Sequence, residues 1–459
     1  MSLTNALPVD AAKAAKCASR TLATLPTSAR NDALTAIHVA LSQSKDEILA
    51  ANARDLTAAK KAAEDGTLSL SLVSRLDLGK KGKWEDMLKG ILDVRELEDP
   101  VGKVTLRTKL DEGLDLERVS CPIGVLLIIF EARPEVIANI ASLAIKSGNA
   151  AILKGLGTTR LPKYGGKEST ESFVAISKVI SAALESTVVP NTAIQLVTTR
   201  DVIPQLLALD QYIDLVIPRG SNELVRYIKS STRIPVLGHA DGLCSIYLEH
   251  TADPEMAVRV IVDSKTSYPA ACNSVETLLV EEASLETLLP PVAEALLAKG
   301  VSLRCDASSK KALTVKLSPH SSVILQDADE SDFDTEHLSL TLAVKTVSTV
   351  TEAISHINIH GSHHTDAILT SSSPLAEHFM SSVDSAGVVW NTSTRMADGM
   401  RFGFGTEVGI STNKIHARGP VGLEGLMIYK YKIRGGGQIT AEYGEGSGQK
   451  SFKHERLPF

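Results

Sequence analysis

The sequence is poor in aromatic residues, carries no excess of positive charge and has no long apolar run. Only 4% of its 459 residues are Phe, Trp or Tyr, and its formal net charge is −6. A basic nucleic-acid-binding surface and a platform for stacked bases are therefore not expected. The most apolar segment, Ile123 to Phe130, is much shorter than the roughly twenty residues that a membrane-spanning helix needs. We expect a protein that contacts neither nucleic acid nor a membrane.

The cysteines and histidines also lack the spacing typical of disulfide frameworks and metal sites. The five cysteines form no CxxC pair and no Cys/His zinc pattern, so neither a disulfide framework nor a structural zinc site is expected. The adjacent His363 and His364 lack the i, i+4 spacing of a helical metal pair, and we expect no metal. The first twenty residues have no apolar core typical of a secretory signal. A cytoplasmic location fits these observations.

The distribution of apolar residues predicts an α/β fold. From residue 121 onward, short Val/Ile/Leu runs alternate with helical segments, which is typical of parallel sheets covered on both faces. This pattern predicts a doubly wound, Rossmann-like domain over roughly 121–245 and a second α/β domain over 246–420. Residues 104–120 read as a β-hairpin that turns at Asp111-Glu112-Gly113. Neither this hairpin nor the Gly-rich tail after residue 420 should fold alone.

Three segments carry residues suited to chemistry. Cys272 lies in SYPAACNSVETLLV, in a loop just before a strand, where loop amides would favour its thiolate, although a small buried Cys is the ordinary alternative. Gly220-Ser221 opens a helix after a strand and suits either an anion or a plain helix cap. The run 238–242, GHADG, suits close packing against a ligand or a simple turn.

Six motifs follow one another along the chain: PIGVLLIIFEARPEV, VIPRGS, IPVLGHADG, SYPAACN, GSHHTDAILT and RFGFGTEVGIST. Together they resemble the γ-glutamyl phosphate reductase family, the proline-biosynthetic branch of the aldehyde dehydrogenase superfamily. The similarity extends from about Ile48 to the C-terminal KHERLP.

The resemblance implies an aldehyde dehydrogenase-like architecture of three parts. Residues 1–103 and 121–245 would form the Rossmann-like cofactor-binding domain, and 246–420 the α/β catalytic domain. Residues 104–120 and 421–459 would form a β-flap, made of the hairpin and the tail, for oligomerisation. A homo-oligomer is therefore expected, and the upstream glutamate kinase is a candidate partner.

The resemblance also implies a reaction. NADPH would reduce L-glutamyl 5-phosphate to L-glutamate 5-semialdehyde with release of phosphate, through a thioester on Cys272. The oxyanions formed on the way need hydrogen-bond donors, for which the Cys272 backbone N–H and, less strongly, the Asn273 side chain are candidates.

Further site residues follow from the same resemblance. The cofactor-binding candidates are Lys154, Gly220, Ser221 and Glu336. The substrate-binding candidates are Arg133 and Arg395, because a guanidinium binds carboxylate and phosphate with two hydrogen bonds.

The chain departs from hydrolytic aldehyde dehydrogenases at two positions. It has no Glu in LGHADG, where those relatives carry a general base, and it has Ala132 where they carry an oxyanion-hole Asn. Without the base, the thioester would be reduced rather than hydrolysed. Leu156 to Gly165 also resemble an insertion next to the predicted cofactor contact at Lys154, and they are either a true loop or an artefact of the gene model.

Two alternatives stay open at this point. A CoA-acylating aldehyde dehydrogenase would share the fold and the Cys, but GSHHTD and STRMADG belong to the glutamyl phosphate branch. An inactive paralogue serving as a scaffold for glutamate kinase would fit the insertion, but not the intact surroundings of Cys272.

Overall fold

The computed structural model describes residues 3–4, 6–66, 70–131, 133–156, 171–199, 202–317 and 325–458. The chain divides into two compact units. Unit 1 comprises 1–237, 404–408 and 421–459, and unit 2 comprises 238–403 and 409–420. The suspected insertion lies outside the described residues except for Leu156, and so does Ala132.

Unit 1 contains a parallel sheet and an antiparallel sheet. Its strands are β1 (Leu3–Thr4), β2 (Val104–Asp111), β3 (Leu114–Pro122), β4 (Val125–Glu131), β5 (Ala150–Leu156), β6 (Ile194–Val197), β7 (Leu215–Arg219) and, after unit 2, β17 (Met427–Arg434) and β18 (Glu455–Arg456). Its helices are α1 (Pro8–Leu22), α2 (Thr27–Gln43), α3 (Lys45–Glu64), α4 (Leu70–Leu76), α5 (Lys83–Glu96), α6 (Val136–Ser147), α7 (Glu171–Glu185), α8 (Ile203–Leu207) and α9 (Asn222–Ser231).

The strands of the parallel sheet run in the order β1-β6-β5-β4-β7 within the described part of unit 1. Strand β4, which lies between β5 and β7, reads VLLIIF over Val125–Phe130, and all six side chains are buried. Such an unbroken apolar run suits a strand covered on both faces. Because the strands are parallel, Glu131, Lys154 and Arg219 all lie near the carboxyl edge of this sheet, where open α/β sheets commonly bind ligands.

The predicted hairpin is confirmed. Strands β2 and β3 pair antiparallel, and Gly113 in their turn has φ 67°, a left-handed conformation that glycine adopts without strain. The tail strand β17 pairs antiparallel with β3 from Met427↔Pro122 to Arg434↔Asp115, which gives the order β17-β3-β2-β18. Strand β17 is an edge of this sheet and exposes apolar and aromatic side chains: Ile428, Tyr429, Tyr431 and Ile433.

Unit 2 is built on a second parallel sheet. Its strands are β8 (Cys244–Leu248), β9 (Val275–Glu281), β10 (Ser302–Cys305), β11 (Gln326–Asp327), β12 (Thr341–Val347), β13 (Thr365–Leu369) and β14 (Gly387–Trp390), with a separate pair of β15 (Gly409–Ser411) and β16 (Gly419–Val421). Its helices are α10 (Pro254–Thr266), α11 (Leu289–Ala298), α12 (Ala307–Lys316), α13 (Val350–His360) and α14 (Ser373–Ser382).

The strand order of this second sheet is β11-β10-β12-β9-β8-β13-β14 among the described residues. Both sheets therefore agree with the α/β fold predicted from the sequence. The compact units meet in sequence between Leu237 and Gly238, so all of β8 belongs to unit 2, whereas the sequence placed the boundary between residues 245 and 246.

A buried ion pair links α10 and β9 within unit 2. Lys265 Nζ lies 2.7 Å from Glu276 Oε2 and donates to the Val275 carbonyl at 2.9 Å. Lys265 is 0% exposed and Glu276 is 1% exposed. Burial raises the pKa of Glu276 to about 7 even though Lys265 opposes this, and burial lowers the pKa of Lys265. The ionised form of each of these two buried side chains is therefore stabilised by the charge of the other.

Among the helices that the structure describes, none combines the length and the apolar character needed to cross a membrane.

Candidate active site

Cys272 lies in the loop between α10 and β9, at the amino-terminal edge of the unit 2 sheet. This agrees with the predicted loop before a strand. The side chain is half-buried, whereas Cys244 and Cys305 are buried. Cys272 is therefore held in place by its surroundings and still reachable from solvent.

Two other loops of unit 2 pack against the Cys272 loop. A Cβ on Gly242 would come within 2.2 Å of the Cys272 carbonyl oxygen, so only glycine fits there. The Cys244 thiol donates to that same carbonyl at 3.3 Å. The Leu243 N–H donates to Ser362 Oγ at 2.8 Å, which joins the GHADG loop to the loop before β13. The three loops are therefore positioned together.

These loops bring two imidazoles to the thiol. One ligand atom each of His239, Cys272 and His364 lie within 4.8 Å of one another. The two rings meet edge to face, with centroids 4.8 Å apart. His239 Nδ1 donates to the Ile410 carbonyl at 2.9 Å, and His364 Nδ1 lies 2.9 Å from Thr365 Oγ1. Both rings are thereby oriented through Nδ1.

The imidazoles control the ionisation of the thiol. Burial alone would raise the pKa of Cys272, but the charges of His364 and His239 outweigh this and hold the pKa well below its usual value. Because the thiolate is the nucleophilic form of cysteine, this arrangement keeps Cys272 reactive near neutral pH. By contrast, burial raises the pKa of the neighbouring Cys244 well above normal.

Sequence reasoning missed the two histidines. It selected the GHADG and GSHHTD segments but gave neither His239 nor His364 a role, and it attributed activation of Cys272 to loop amides. The residues lie on three separate loops, so no local spacing joins them. The only signal was that His-containing loops occupy the same edge of a parallel sheet as the Cys272 loop.

Asn273 helps to hold the Cys272 loop. Its side-chain Nδ2 donates to the Ala397 carbonyl at 2.9 Å, and its backbone carbonyl accepts from Thr394 Oγ1 at 2.7 Å. Asn273 is buried, and its Oδ1 has no hydrogen-bond partner among the described residues. The structure thus gives Asn273 a positioning role, and its suggested role as an oxyanion donor stays a prediction.

Arg395 is the predicted substrate residue in the same unit as the nucleophile. Its Nε donates to Ser267 Oγ at 3.1 Å, and its guanidinium carbon lies 5.9 Å from the centre of the Tyr268 ring. Burial and Arg401 lower the pKa of Arg395, while the charge of Cys272 raises it. Arg395 is therefore close enough to the sulfur to interact with it electrostatically.

Comparison with known proteins identifies the family. No protein-family model matches the chain. The probable gamma-glutamyl phosphate reductase of Schizosaccharomyces pombe is 55% identical over 442 residues, 96% of this chain and 95% of that protein. The chain belongs to the γ-glutamyl phosphate reductase family. The resemblance stated from the sequence motifs is thus confirmed.

Solved structures support the same assignment. The crystal structure of gamma-glutamyl phosphate reductase from Thermotoga maritima matches with a TM-score of 0.85 at 36% identity, over 95% of this chain and 100% of that one. An acetylating aldehyde dehydrogenase from Geobacillus thermoglucosidasius, 17% identical, matches with a TM-score of 0.64 over 94% of this chain and 97% of that one. This second match shows the fold alone. The chain is thus a γ-glutamyl phosphate reductase-family oxidoreductase with the predicted aldehyde dehydrogenase-like fold.

The cofactor residues predicted for this reductase family in unit 1 lie near one sheet edge. Lys154 is 2% exposed, and its Nζ donates to the Thr199 carbonyl at 2.8 Å. The Ser221 N–H, at the start of α9, donates to Glu131 Oε2 at 2.8 Å, and a Cβ on Gly220 would come within 2.5 Å of that oxygen. The start of α9 therefore already binds a carboxyl oxygen of Glu131, and burial raises the pKa of this carboxyl.

The structure also locates one predicted substrate-binding residue and one predicted cofactor-binding residue, but their contacts do not test these roles. Arg133 is half-buried between β4 and α6 in unit 1. Glu336 is half-buried just before β12 in unit 2, where its charge contributes to the raised pKa of Glu276. Binding of substrate by Arg133 and of cofactor by Glu336 stay predictions.

The pKa of Cys272 leads to a test by alkylation. The alkylation rate of an ordinary thiol falls about 100-fold between pH 8 and pH 6, because its pKa is near 8.5. We expect inactivation by iodoacetamide to slow by less than about threefold over that range, because a lowered pKa keeps the thiolate populated until the pH falls through it. Replacing His239 with Asn should restore a steep pH dependence. A steep profile in the unmodified chain would contradict the role of the imidazoles.

Proposed function

We propose that the chain catalyses NADPH-dependent reduction of L-glutamyl 5-phosphate to L-glutamate 5-semialdehyde, with release of phosphate, in proline biosynthesis. Membership of the γ-glutamyl phosphate reductase family supports this reaction. The observation that carries the proposal is the Cys272 sulfur, held beside His239 and His364 with a lowered pKa. An acyl phosphate reductase that works through a thioester needs such a thiolate.

The thiolate would begin the reaction. Cys272 Sγ attacks the acyl carbon of the substrate, the bond from that carbon to the phosphate oxygen breaks, and inorganic phosphate leaves. The nicotinamide, when bound, supplies the hydride that reduces the resulting thioester. Cys272 then leaves the tetrahedral carbon as a thiolate, which His239 and His364 stabilise again, and the aldehyde is released.

Arg395 supports recognition of an anionic substrate. Its guanidinium lies within electrostatic range of Cys272, and its Nε is already oriented by Ser267. We infer that its remaining N–H groups bind the phosphate or the carboxylate of the substrate. Arg133, in unit 1, is the second residue proposed for this role.

Part of unit 1 suits the binding of NADPH. The Ser221 N–H at the start of α9 donates to Glu131 Oε2, and this contact supports the proposal that the same N–H binds an oxygen of a cofactor phosphate. Lys154, Gly220 and Ser221 lie near the carboxyl ends of β5 and β7, where a dinucleotide would bind. We propose that these residues, with Glu336, hold the cofactor.

The exposed strand β17 supports assembly into a homo-oligomer. It is an edge strand, and four of its side chains are apolar or aromatic and exposed. An unpaired, apolar edge is suited to pairing with another chain. Association with glutamate kinase and a cytoplasmic location also belong to this proposal and rest on the resemblance and on the sequence.

The reverse reaction tests the chemistry of the leaving group. We expect NADP⁺ reduction with pyrroline-5-carboxylate, the cyclic form of the semialdehyde, to require inorganic phosphate. CoA should not replace phosphate. A rate that depends on CoA, or one that is independent of both, would contradict the proposed reaction. Comparing NAD⁺ with NADP⁺ in the same assay tests the choice of cofactor.

A further inference from the structure

The active-site cluster has the composition of a metal site. His239, Cys272 and His364 supply two nitrogens and one sulfur within 4.8 Å of one another. Around a tetrahedral Zn²⁺ such atoms lie roughly 3.5 Å apart, so a movement of about 1 Å would close the set. Three protein ligands leave one position open, which is typical of zinc sites that exchange a ligand.

The outer hydrogen bonds of the two rings fit the same interpretation. Histidines that bind metals commonly donate their second nitrogen to a carbonyl, a carboxylate or a water. His239 Nδ1 meets the Ile410 carbonyl, and His364 Nδ1 meets the Thr365 hydroxyl. These contacts fix the orientation of both rings.

His364 supplies a second, independent observation. The residue is 1% exposed, and its Nε2 has no hydrogen-bond partner among the residues that the structure describes. Buried polar atoms are seldom left without a partner, because an unsatisfied one costs about 1–3 kcal/mol. A ligand between the rings and the sulfur would give this nitrogen a partner.

We propose that Cys272, His239 and His364 form a binding site for a thiophilic divalent cation of the zinc class, and that this cation reversibly blocks the nucleophile. Binding places the cation on Sγ and on one nitrogen of each ring. The ligands must be deprotonated, so any proton on the sulfur or on either of these nitrogens is released to solvent. The thiolate is then unavailable for attack on an acyl carbon. The proposal goes beyond the reductase reaction and does not depend on the identity of the substrate.

A second cluster in unit 2 serves as the internal control. Glu249, His250 and Glu281 also lie within 4.8 Å of one another, near the ends of β8 and β9 at the opposite edge of the sheet. His250 Nδ1 is 2.6 Å from Glu281 Oε2, and this contact raises its pKa. The protonated ring then supplies the positive charge that the two carboxylates need, and the cluster contains no sulfur.

Cadmium is the probe, because a cadmium–thiolate bond absorbs in the ultraviolet. We expect titration of the full chain with Cd²⁺, without substrate or cofactor, to produce this absorbance at one equivalent per chain. Activity should fall in parallel, and a chelator should reverse both changes. Zn²⁺ should compete for the same equivalent.

Variants separate this site from other thiols and from the second cluster. Cys272→Ser should abolish the absorbance, and His239→Asn should weaken Cd²⁺ affinity by at least about 100-fold. His250→Ala and Cys17→Ser should leave the absorbance and the Cd²⁺ affinity unchanged. Absorbance retained in Cys272→Ser would overturn the proposal, and so would unchanged affinity in both His239→Asn and His364→Asn. Thr365→Val, which removes only an outer partner, should weaken affinity by about 10–100-fold.

Discussion

Replacing Cys272 with serine is expected to lower kcat by at least about 10⁴-fold, the order of loss seen when a covalent nucleophile is removed. A hydroxyl is a much weaker acid than a thiol. The two imidazoles that ionise the Cys272 sulfur are therefore not expected to ionise the serine hydroxyl. Serine nearly preserves the volume of the side chain, so the packing of Gly242 against the backbone at this position should survive. The measurement is phosphate-dependent NADP⁺ reduction, with protein concentration set by absorbance.

Cys17→Ser is the matched control, because Cys17 is the exposed cysteine of α1. Its kcat should stay within about twofold of the unmodified chain, since an exposed surface substitution changes little. Cofactor binding by Cys272→Ser, followed by nicotinamide fluorescence, should be retained, and this would show that the fold is intact. Retention of more than about 1% of kcat by Cys272→Ser would contradict the thioester mechanism.

Replacing Lys265 with methionine is expected to destabilise unit 2 by about 3–5 kcal/mol at pH 8, because it leaves Glu276 buried without its cation. For a unit of this size the loss corresponds to a fall in Tm of roughly 10 °C. Differential scanning calorimetry at several pH values measures both the size and the pH dependence of the effect.

The pH dependence has a definite sign. In the unmodified protein Glu276 has a folded pKa of about 7, above that of the unfolded chain, so its contribution to stability is full at low pH and is lost as the pH rises through 7. Removing Lys265 raises the folded pKa further. The variant should therefore continue to lose stability above pH 7, by about 1.4 kcal/mol per pH unit, where the unmodified protein has levelled off.

The double variant Lys265→Met/Glu276→Gln provides the control. It removes both charges and keeps an acceptor for the Leu338 N–H, which lies 3.3 Å from Glu276 Oε1. Replacing a buried pair by neutral groups is often close to neutral for stability. The double variant should thus recover most of the lost Tm. Equal losses in the single and double variants would mean that packing of the Lys265 side chain, rather than its charge, is what matters.

The fold was largely accessible from the sequence, because its signals are local. The unbroken apolar run of β4 and the turn at Gly113 each lie within a few consecutive residues. The domain boundary predicted from the sequence follows residue 245, whereas the compact units meet between Leu237 and Gly238, and strand β8 itself looks much like the strands before it. Only its pairing with β9 and β13, which joins residues far apart in the chain, assigns it to unit 2.

Only part of the active site could be predicted from the sequence. Cys272 stands out by its surroundings, but its partners His239 and His364 come from loops that meet only in the folded unit. Glu131 beneath the start of α9 is a similar case, because the contact joins residues 90 apart in the chain. Side chains that are brought together only by tertiary folding have no characteristic spacing in the sequence, so the sequence does not predict their contact.

The late pairing of β17 has a consequence for synthesis of the chain. Arg434 bonds to Glu117, a residue 317 positions earlier. At typical rates of translation, the hairpin leaves the ribosome on the order of tens of seconds before its partner strand exists. Throughout that time the outer edge of β3 is an open template for pairing with other nascent chains. Chains that stop before Met427 would keep this edge open permanently, so premature termination should produce aggregates and not a shorter enzyme.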